Sequence, residues 1–491
     1  MNRRKLRVVF ATPEMVPFAK TGGLADVTGT LPKEIRTLGH EVLCFVPKYK
    51  KVDPARWPMK LAVERLQVPV GNEVDTGRVF RYDDPSGIQV YFIDQPEYFS
   101  RDELYGTPLG DYPDNDRRFV FFQKAVLETL KILGLKPDVI HCHDWQSALI
   151  PTYLKTLYEN DSFFAKTKTV FTIHNLAYQG NFPPDSLPVT GLSWQEFRME
   201  RLEFYGKVSF LKGALVYSDA LTTVSPRYAQ EIQTKEYGCG MEGVLQTRRE
   251  DLVGIVNGID PAEWDPENDP DIPTPFSLKK IEGKAADKAA LQKDNHFTVD
   301  ENIPLFGITT RLADQKGLDI LAPAMEGLMK RGVQLALLGT GEDRYHQLFQ
   351  ELGKRHAKQL GVHILFDARL AKRIYAGSDI FLMPSRFEPC GLGQLISFRF
   401  GTVPLVRETG GLADTVKEFD PRTGEGTGFL FKEYTSKAFL DAVDRTLETY
   451  RNKKLWSKLM KNGMKQDFSW RASARQYVEL YEKVKRKPVT V

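Results

Sequence analysis

The sequence predicts an α/β protein built from two doubly wound domains of similar size. The chain has 491 residues, and chains longer than about 250–300 residues usually divide their core between domains. Short apolar runs alternate with helical stretches in the first half, and the same alternation repeats in the second half. This alternation is typical of βαβ units arranged around a parallel sheet.

The first half contains short apolar runs that end in Gly, Ser or Asp signals, as buried parallel strands do. The predicted strands are Arg7–Ala11, Glu41–Val46, Val90–Ile93, Val139–Cys142, Thr169–Ile173 and Ala220–Val224. The predicted helices between them are Leu31–Leu38, Arg118–Leu133 and Ser147–Tyr158. We therefore predict a first domain over residues 1–256.

The second half repeats this pattern after a linker near Asn257, where the composition shifts towards Pro and Asp. The predicted strands are Pro304–Ile308, Val333–Leu338, Val362–Phe366, Ile380–Met383 and Thr402–Val406. The predicted helices are Leu318–Lys330, Asp343–Gln359, Arg369–Gly377, Gly391–Phe400 and a last one over Trp470–Val484. We predict a second domain over residues 257–469, and we expect residues 470–491 to pack back on the first domain.

The composition is that of an ordinary globular protein, with 42% hydrophobic and 27% charged residues. The formal net charge is only +4, and no long Lys/Arg run marks a nucleic-acid surface. No apolar run reaches the 18 residues that a membrane span requires. The basic start is followed by an apolar run too short for a signal peptide. These observations argue against nucleic-acid and membrane partners.

The four cysteines are spaced too widely to form a CxxC pair or a disulfide framework; they are Cys44, Cys142, Cys239 and Cys390. A reducing compartment, the cytoplasm, is the simpler interpretation.

A six-residue repeat connects the two halves. Thr21–Asp26 has the sequence TGGLAD, and Thr409–Asp414 repeats it without a change. Both copies follow an apolar run and lead into a helical pattern. Glycine permits close backbone approach to a ligand, and a helix N-terminus favours phosphate. Two explanations remain open: a chance helix-entry signal, or two related loops that face one cleft.

Three cations lie in loops that follow predicted strands. Lys20 precedes the first glycine pair, and Arg311 and Lys316 are five residues apart after the strand Pro304–Ile308. Positive side chains beside glycine-rich turns can hold a diphosphate and stabilise the charge that develops when it leaves. The alternative is that these are ordinary solvated loop residues.

The segment Ser385–Gly393 follows another predicted strand and precedes a helix. Ligands in open α/β sheets bind beyond the carboxyl ends of strands. Glu388 could accept hydrogen bonds from sugar hydroxyls, and the amides of Gly391 and Leu392 could meet a phosphate. Glu388 could instead be an acid that complements a helix dipole, and Cys390 a small buried residue without a catalytic base.

Two histidine motifs end strands of the first half. His174 lies in the segment Thr172–Gly180, which has the sequence TIHNLAYQG. His141 and His143 flank Cys142 in the sequence HCHDW. A metal site at the latter pair would need a third ligand that the sequence does not supply. The acidic triplets Asp114–Asp116 and Asp269–Asp271 lie in Pro-rich loops, and we interpret them as loop acids. These motifs therefore predict no metal site.

Taken together, these segments resemble the bacterial glycogen synthase and plant starch synthase family over nearly the whole chain. The matching segments are Lys20–Leu24, Glu236–Gly243, Val256–Asp260, Arg386–Leu392 and Thr409–Asp414. The resemblance implies an α/β fold with two Rossmann-like domains facing a central cleft (GT-B type), the first on the acceptor side and the second binding the nucleotide sugar. It implies a retaining glucosyltransferase that uses ADP-glucose and an α-1,4-glucan, either glycogen or a maltooligosaccharide. It also implies no metal and no organic cofactor. Oligomeric state is left open.

The resemblance also assigns roles to individual residues. Lys20, Arg311 and Lys316 look like the diphosphate clamp. Glu388 looks like the acid that holds the transferred glucose, with His174 close to the reacting centre. The further substrate-binding positions are Gly22, Gly23, Asp26, Tyr105, Asp144, Asn257, Phe366, Cys390, Gly391, Leu392 and Thr409.

Some positions depart from the family pattern. Phe366 stands where many relatives have Tyr, so a hydroxyl contact near the base is lost while stacking survives. Ile396 stands eight residues after Glu388, where related two-domain transferases carry a second acid. A UDP-glucose-preferring enzyme remains an alternative. An NAD-dependent oxidoreductase lacks its G-x-G-x-x-G fingerprint here, and a non-catalytic glucan-binding protein would not need these intact cations.

Overall fold

A computed structural model of the chain describes residues 5–107 and 109–487. The basic start at residues 1–4 and the last four residues of the predicted 470–491 segment lie outside the described residues. The chain divides into two compact units. Unit 1 takes the described residues of Met1–Val224, Ala229–Ile255 and Trp470–Val491, and unit 2 takes Ser225–Tyr228 and Val256–Ser469.

Strands occur in both units, with a large sheet in each. The strands are β1 Arg7–Ala11, β2 Glu41–Pro47, β3 Lys60–Val70, β4 Glu73–Asp83, β5 Gln89–Asp94, β6 Gly106–Thr107, β7 Gly110–Asp111, β8 Val139–His143, β9 Lys168–Ile173, β10 Asn181–Phe182, β11 Glu203–Phe204, β12 Lys207–Ser209, β13 Ala220–Thr223, β14 Leu252–Gly254, β15 Leu305–Thr309, β16 Gln334–Leu338, β17 Leu360–His363, β18 Ile380–Met383, β19 Val403–Arg407 and β20 Phe429–Phe431.

Helices connect the strands in each unit. They are α1 Gly23–Thr37, α2 Pro96–Phe99, α3 Asn115–Ile132, α4 Leu149–Lys155, α5 Ser186–Thr190, α6 Phe210–Tyr217, α7 Pro226–Glu231, α8 Glu242–Thr247, α9 Gly283–Asp294, α10 Leu318–Met329, α11 Asp343–Arg355, α12 Ala368–Gly377, α13 Gly393–Arg399, α14 Gly410–Thr415, α15 Ser436–Arg451, α16 Lys453–Met464 and α17 Trp470–Arg486. Among the described residues, no helix is long and apolar enough to cross a membrane.

The large sheet of unit 1 has the strand order β14-β13-β9-β8-β1-β2-β5-β4-β3. Its strands pair in parallel except at one edge, where β4 runs antiparallel to both β5 and β3. The central strands are apolar and buried, as strands covered by helices on both faces must be. Helix α17 belongs to this unit, where the Tyr481 hydroxyl lies 2.8 Å from Nδ1 of His141 on β8.

The sheet of unit 2 has the order β17-β16-β15-β18-β19-β20, and all of its strand pairs are parallel. Its core is formed by apolar side chains of the strands and of helices α10, α11, α15 and α16. The predicted α/β class, with parallel sheets in two domains, is therefore confirmed.

Most predicted elements are present with ends shifted by one or two residues, but several differ. The strand predicted over Val362–Phe366 is present but displaced towards the N-terminus: β17 spans Leu360–His363, and Phe366 lies in a loop with its side chain 85% exposed. The chain leaves the sheet there because the Asp367 carboxylate accepts the amide of Leu370 and caps α12. The antiparallel pair β3 and β4 was not predicted, because its alternating polar residues lack a continuous apolar run.

Helix ends also differ from the prediction. Helix α1 begins at Gly23 and contains Pro32, so it is longer than the predicted Leu31–Leu38. The helix predicted over Ser147–Tyr158 is shorter, since α4 spans Leu149–Lys155 after a 3₁₀ turn. The helix predicted from Gly391 begins two residues later, because Gly391 has a φ of +74°.

Each sheet changes the direction of its strand order at one point, and the loops there carry most of the predicted site residues. In unit 1, β1 lies between β2 and β8, so the loops after β1, β8 and β9 meet at one edge. In unit 2, β15 lies between β16 and β18. Crevices at such switch points are the usual ligand sites of open α/β sheets.

Candidate active site

A buried carboxylate organises the glycine-rich loop of unit 1. Glu14, 4% exposed, follows β1. It accepts hydrogen bonds from the amide and hydroxyl of Thr21, both at 2.5 Å, and from the amide of Gly22 at 3.2 Å. The Tyr105 hydroxyl donates to the same carboxylate at 2.7 Å. These bonds fix the TGG loop against the end of β1 and bring Tyr105 beside it.

Lys20 and Asp26 form an ion pair on the solvent side of this loop. Lys20 Nζ lies 2.6 Å from Asp26 Oδ1, and the lysine side chain is 47% exposed. Asp26 lies in the first turn of α1, where a negative charge complements the helix dipole. Gly22 precedes the helix, and Gly23 begins it. The pairing holds Lys20 beside the glycine loop, although an exposed pair of this kind contributes little to stability.

The ends of β8 and β9 meet through Asp144 and His174. The His174 amide donates to Asp144 Oδ1 at 2.8 Å, and Nδ1 of His143 lies 3.0 Å from Nε2 of His174. Asp144 has a φ of +54°, a strained conformation for a non-glycine residue. Strain of this kind, held by surrounding contacts, is a common property of functional sites.

Burial sets the protonation of this group. Burial lowers the pKa of His174 to about 3 and holds the pKa of His143 well below 6.5. Burial raises the pKa of Asp144 to about 7, partly offset by the amides that it accepts. Both imidazoles are therefore neutral at neutral pH, and Asp144 titrates near it. Perturbed pKa values concentrated at the carboxyl ends of neighbouring strands mark a candidate functional site.

In unit 2, a buried ion pair joins the loops after β15 and β18. Lys316 Nζ lies 2.6 Å from Glu388 Oε2, and their side chains are 18% and 8% exposed. The Ser385 hydroxyl donates to the same oxygen at 3.0 Å. Among the described residues, Oε1 of Glu388 has no hydrogen-bond partner and can accept one from a ligand.

Gln315 connects Arg311 to the same loop. Its side-chain oxygen lies 3.5 Å from Arg311 Nη2, and its amide nitrogen donates to the carbonyl of Phe387 at 3.3 Å. Gly317 has a φ of +73°, and a Cβ there would lie 1.9 Å from the carbonyl oxygen of Pro384. Only glycine fits, so the two loops can pack closely enough for Lys316 to reach Glu388. The exposed Arg311 lies at the rim of this arrangement.

The second TGGLAD copy packs on the backbone of Glu388. Thr409 is the N-cap of α14, and Gly410 has a φ of +45°. The Gly411 amide donates to the Glu388 carbonyl at 3.1 Å, and a Cβ on Gly410 would lie 2.0 Å from that oxygen. Each copy of the repeat therefore begins a helix and contacts a glutamate that follows a strand, Glu14 in unit 1 and Glu388 in unit 2.

The structure also places the other predicted residues of unit 2. Cys390 is buried, which raises the pKa of its thiol to about 12, and its sulfur accepts the backbone amide of Asn257. Gly391 and Leu392 directly precede α13. These contacts fit the interpretation of Cys390 as a packed residue that has no nucleophilic role. Phe366 presents an exposed ring in the loop that follows β17, the edge strand of this sheet.

The acidic triplets are occupied by protein partners. Asp114 pairs with Arg101, and Asp116 accepts the Ser186 hydroxyl. Asp269 and Asp271 both pair with Lys372. Within residues 5–107 and 109–487, no group of three potential ligands could hold a metal ion.

Sequence reasoning missed Glu14, Gln315 and Ser385. The sequence offers only weak signals for them: each is a polar residue in a loop that follows a strand, as many surface residues are. Glu14 and Ser385 act through hydrogen bonds within their own loops, to Thr21 and Glu388. Gln315 acts through a hydrogen bond to Phe387 in a loop that is distant in the chain.

Comparison with known proteins assigns this arrangement to a family. The starch synthase catalytic domain model matches residues 7–247, and the glycosyl transferases group 1 model matches residues 291–466. The glycogen synthase of Koribacter versatilis is 49% identical over 98% of this chain and 99% of its own length. That of Syntrophotalea carbinolica is 48% identical over 97% and 99%, respectively.

Solved structures agree with these sequence matches. The catalytic domain of starch synthase IV from Arabidopsis thaliana, bound to ADP and acarbose, has a TM-score of 0.91 and 34% identity, covering 99% of this chain and all of that one. Sucrose-phosphate synthase from Thermosynechococcus elongatus, 17% identical with a TM-score of 0.59, shares the fold. The chain belongs to the glycogen synthase and starch synthase family of GT-B type glycosyltransferases.

Proposed function

We propose that this enzyme transfers glucose from ADP-glucose to the nonreducing end of an α-1,4-glucan, such as glycogen or a maltooligosaccharide, with retention of configuration. The contact between Lys316 and Glu388 carries the proposal. It places a cation suited to a diphosphate beside a carboxylate with one oxygen available for sugar hydroxyls. The ADP in the related Arabidopsis structure supports an adenine nucleotide as donor.

Each residue has a proposed role in the transfer. Lys20, Arg311 and Lys316 bind the diphosphate and stabilise the charge that it gains on departure. Glu388 orients the transferred glucose, and His174 lies close to the reacting carbon. Gly22, Gly23, Thr409, Gly391 and Leu392 offer backbone close to the phosphates, while Phe366 stacks on the base. Polar walls of the site are provided by Asp26 and Asp144. Its remaining lining comes from Tyr105, Asn257 and Cys390.

A front-face mechanism fits these residues better than a covalent one. A double displacement needs a carboxylate nucleophile beneath the sugar, and the Glu388 carboxylate already pairs with Lys316. In the proposed step, the acceptor hydroxyl oxygen bonds to the anomeric carbon as the bond to the diphosphate oxygen breaks. The hydroxyl proton passes to the departing diphosphate, so charge and atoms balance.

The proposal extends to domain roles and location. We propose that residues 1–256 with the terminal helix serve the acceptor and residues 257–469 bind the nucleotide sugar. The four cysteines are free thiols, which supports a reducing, cytoplasmic setting.

A donor panel tests the proposal. Purified enzyme with glycogen should release ADP from ADP-glucose at a kcat/KM at least about tenfold above that for UDP-glucose, with α-1,4 linkages in the product. A higher kcat/KM with UDP-glucose would support the alternative donor. Failure to elongate glycogen or maltooligosaccharide with any nucleotide glucose would refute the proposal.

A further inference from the structure

The buried imidazole of His143 lies directly behind His174. Its ring stacks on Phe10 at a centroid distance of 5.4 Å, and its neighbour His141 is at 4.1 Å. Within the described residues, Nδ1 of His143 contacts Nε2 of His174 at 3.0 Å, while Nε2 of His143 is buried and has no hydrogen-bond partner. The ring cannot contact a ligand without displacing these neighbours.

One hydrogen bond joins the two rings, and only one of the two facing nitrogens carries the proton in it. Burial keeps the pKa of each imidazole below 6.5, so each ring carries a single N–H. In one arrangement, His143 Nδ1–H donates to His174 Nε2, and the orphaned Nε2 of His143 is only an acceptor. In the other, His174 donates, and His143 must bury an N–H without a partner. Buried N–H groups without a partner are rare because they are costly.

The favoured arrangement determines what His174 offers to a substrate. If His174 Nε2 accepts from His143, the remaining proton of His174 is on Nδ1. That atom has no hydrogen-bond partner among the described residues, and the His174 side chain is partly exposed. We propose that His143 is a positioning residue that fixes His174 as the Nδ1–H tautomer, so that His174 presents a hydrogen-bond donor to an oxygen of the sugar. This rests on the proposed function.

His143, the last residue of β8, and Asp144, which follows it, thus control different parts of His174. Asp144 holds its backbone through the amide at 2.8 Å, and His143 holds its ring. His143 is itself fixed by its position on β8, where it faces Thr172 of β9, and by its amide, which donates to the Ser147 hydroxyl at 2.6 Å. A donor tautomer set in advance costs no reorganisation when the substrate binds.

Nuclear magnetic resonance tests the tautomer without any activity measurement. In the full chain labelled with ¹⁵N-histidine, long-range ¹H–¹⁵N correlation spectra distinguish a protonated from an unprotonated ring nitrogen. The His174 signals are assigned by their loss in His174→Asn. We expect a protonated Nδ1 and an unprotonated Nε2 on His174 at neutral pH. A protonated Nε2 on His174 would overturn the inference, even in an enzyme with the proposed activity.

Kinetics of two variants with the same number of side-chain heavy atoms test the consequence. His143→Asn keeps a donor near the Nδ1 position, whereas His143→Leu does not. We expect kcat of the Asn variant within about threefold of wild type and a loss of about tenfold or more in the Leu variant, with an unchanged KM for glycogen. Equal losses in both variants, each folded by its melting temperature, would overturn the positioning role. His296→Asn, at an exposed histidine, is the matched control. An inactive wild-type enzyme would instead refute the proposed function.

Discussion

The Lys316 ammonium lies 2.6 Å from the Glu388 carboxylate, although 72 residues separate them in the chain. The pair exists because β15 and β18 are neighbours in the sheet, so the loops at their carboxyl ends meet. Both side chains are largely buried. A buried pair whose carboxylate keeps one free oxygen is poised to accept a ligand, and it suggests a direct test.

Lys316→Ala should reduce kcat by about 10²–10³, because one contact to the developing diphosphate charge is lost. The variant should still fold. Lys330→Ala is the matched control, since Lys330, directly after α10, forms an exposed pair with Glu326 at 3.4 Å. Initial rates of ADP release, with melting temperatures for both variants, check the expectation. Unchanged turnover in folded Lys316→Ala would remove this lysine from the proposed mechanism.

Gly410→Ala should lower both stability and kcat. A Cβ at this position would lie 2.0 Å from the Glu388 carbonyl oxygen, and the φ of +45° disfavours any L side chain. Relief of the clash must move Glu388 or α14. Gly243→Ala in α8 is the control, because no atom lies within 4 Å of its Cβ. The melting temperature and kcat should fall only for Gly410→Ala, since alanine is no less stable than glycine within a helix; a normal melting temperature in that variant would contradict the packing described.

The free energy of unfolding should fall as the pH decreases from 7 to 5. Burial depresses the pKa values of His141, His143 and His174, so these groups bind protons in the unfolded chain, near pH 6.5, before they do so in the folded one. Above pH 6.5 the histidines are neutral in both states and cost the folded state nothing. Below pH 6.5 their protonation favours the unfolded chain, so the free energy of unfolding falls. The raised pKa of Asp144 acts in the opposite direction, because the folded state binds its proton first between pH 7 and 3.8.

Among these four groups, three extra protons on the unfolded histidines against one on the folded Asp144 leave a net excess of about two protons on the unfolded state, or up to about 2.7 kcal/mol per pH unit. Urea unfolding at several pH values measures this slope. In His143→Asn, the slope should be smaller by about 1.4 kcal/mol per pH unit, whereas His296→Asn, with its exposed side chain, should leave it unchanged. Identical slopes in all three proteins would show that His143 is protonated equally in both states.

Phe366→Ala should raise the KM for the nucleotide sugar by about tenfold, because stacking of a base on an aromatic ring is worth about 1–3 kcal/mol. The ring is 85% exposed, so folding should be unaffected. Phe366→Tyr should keep the wild-type KM or lower it. The neighbouring Leu365→Ala, at a side chain 44% exposed, controls for a general loss of surface contacts. An unchanged KM in Phe366→Ala would place the base elsewhere.

Local signals in the sequence were sufficient for the fold class and for the position of most elements. Buried parallel strands produce apolar runs such as Arg7–Ala11, which the structure reproduces without a shift. The glycine pairs at Gly22 and Gly410 marked helix starts correctly in both units. Phe366 is a position where these local signals fail. Its apolar run predicts a strand, but the hydrogen bond from the Leu370 amide to Asp367 begins a helix directly after it.

The sequence by itself determined the alternation of strands and helices, the two-part organisation and the motifs that resemble a family. Those properties follow from the spacing of neighbouring residues along the chain. Only the tertiary structure decided that Glu14 holds the Thr21 loop, that Lys316 pairs with Glu388 and that His143 lies behind His174. These contacts depend on strand order, which brings distant loops together, and on burial, which shifts the pKa values of the side chains. Neither property can be read from the spacing of neighbouring residues.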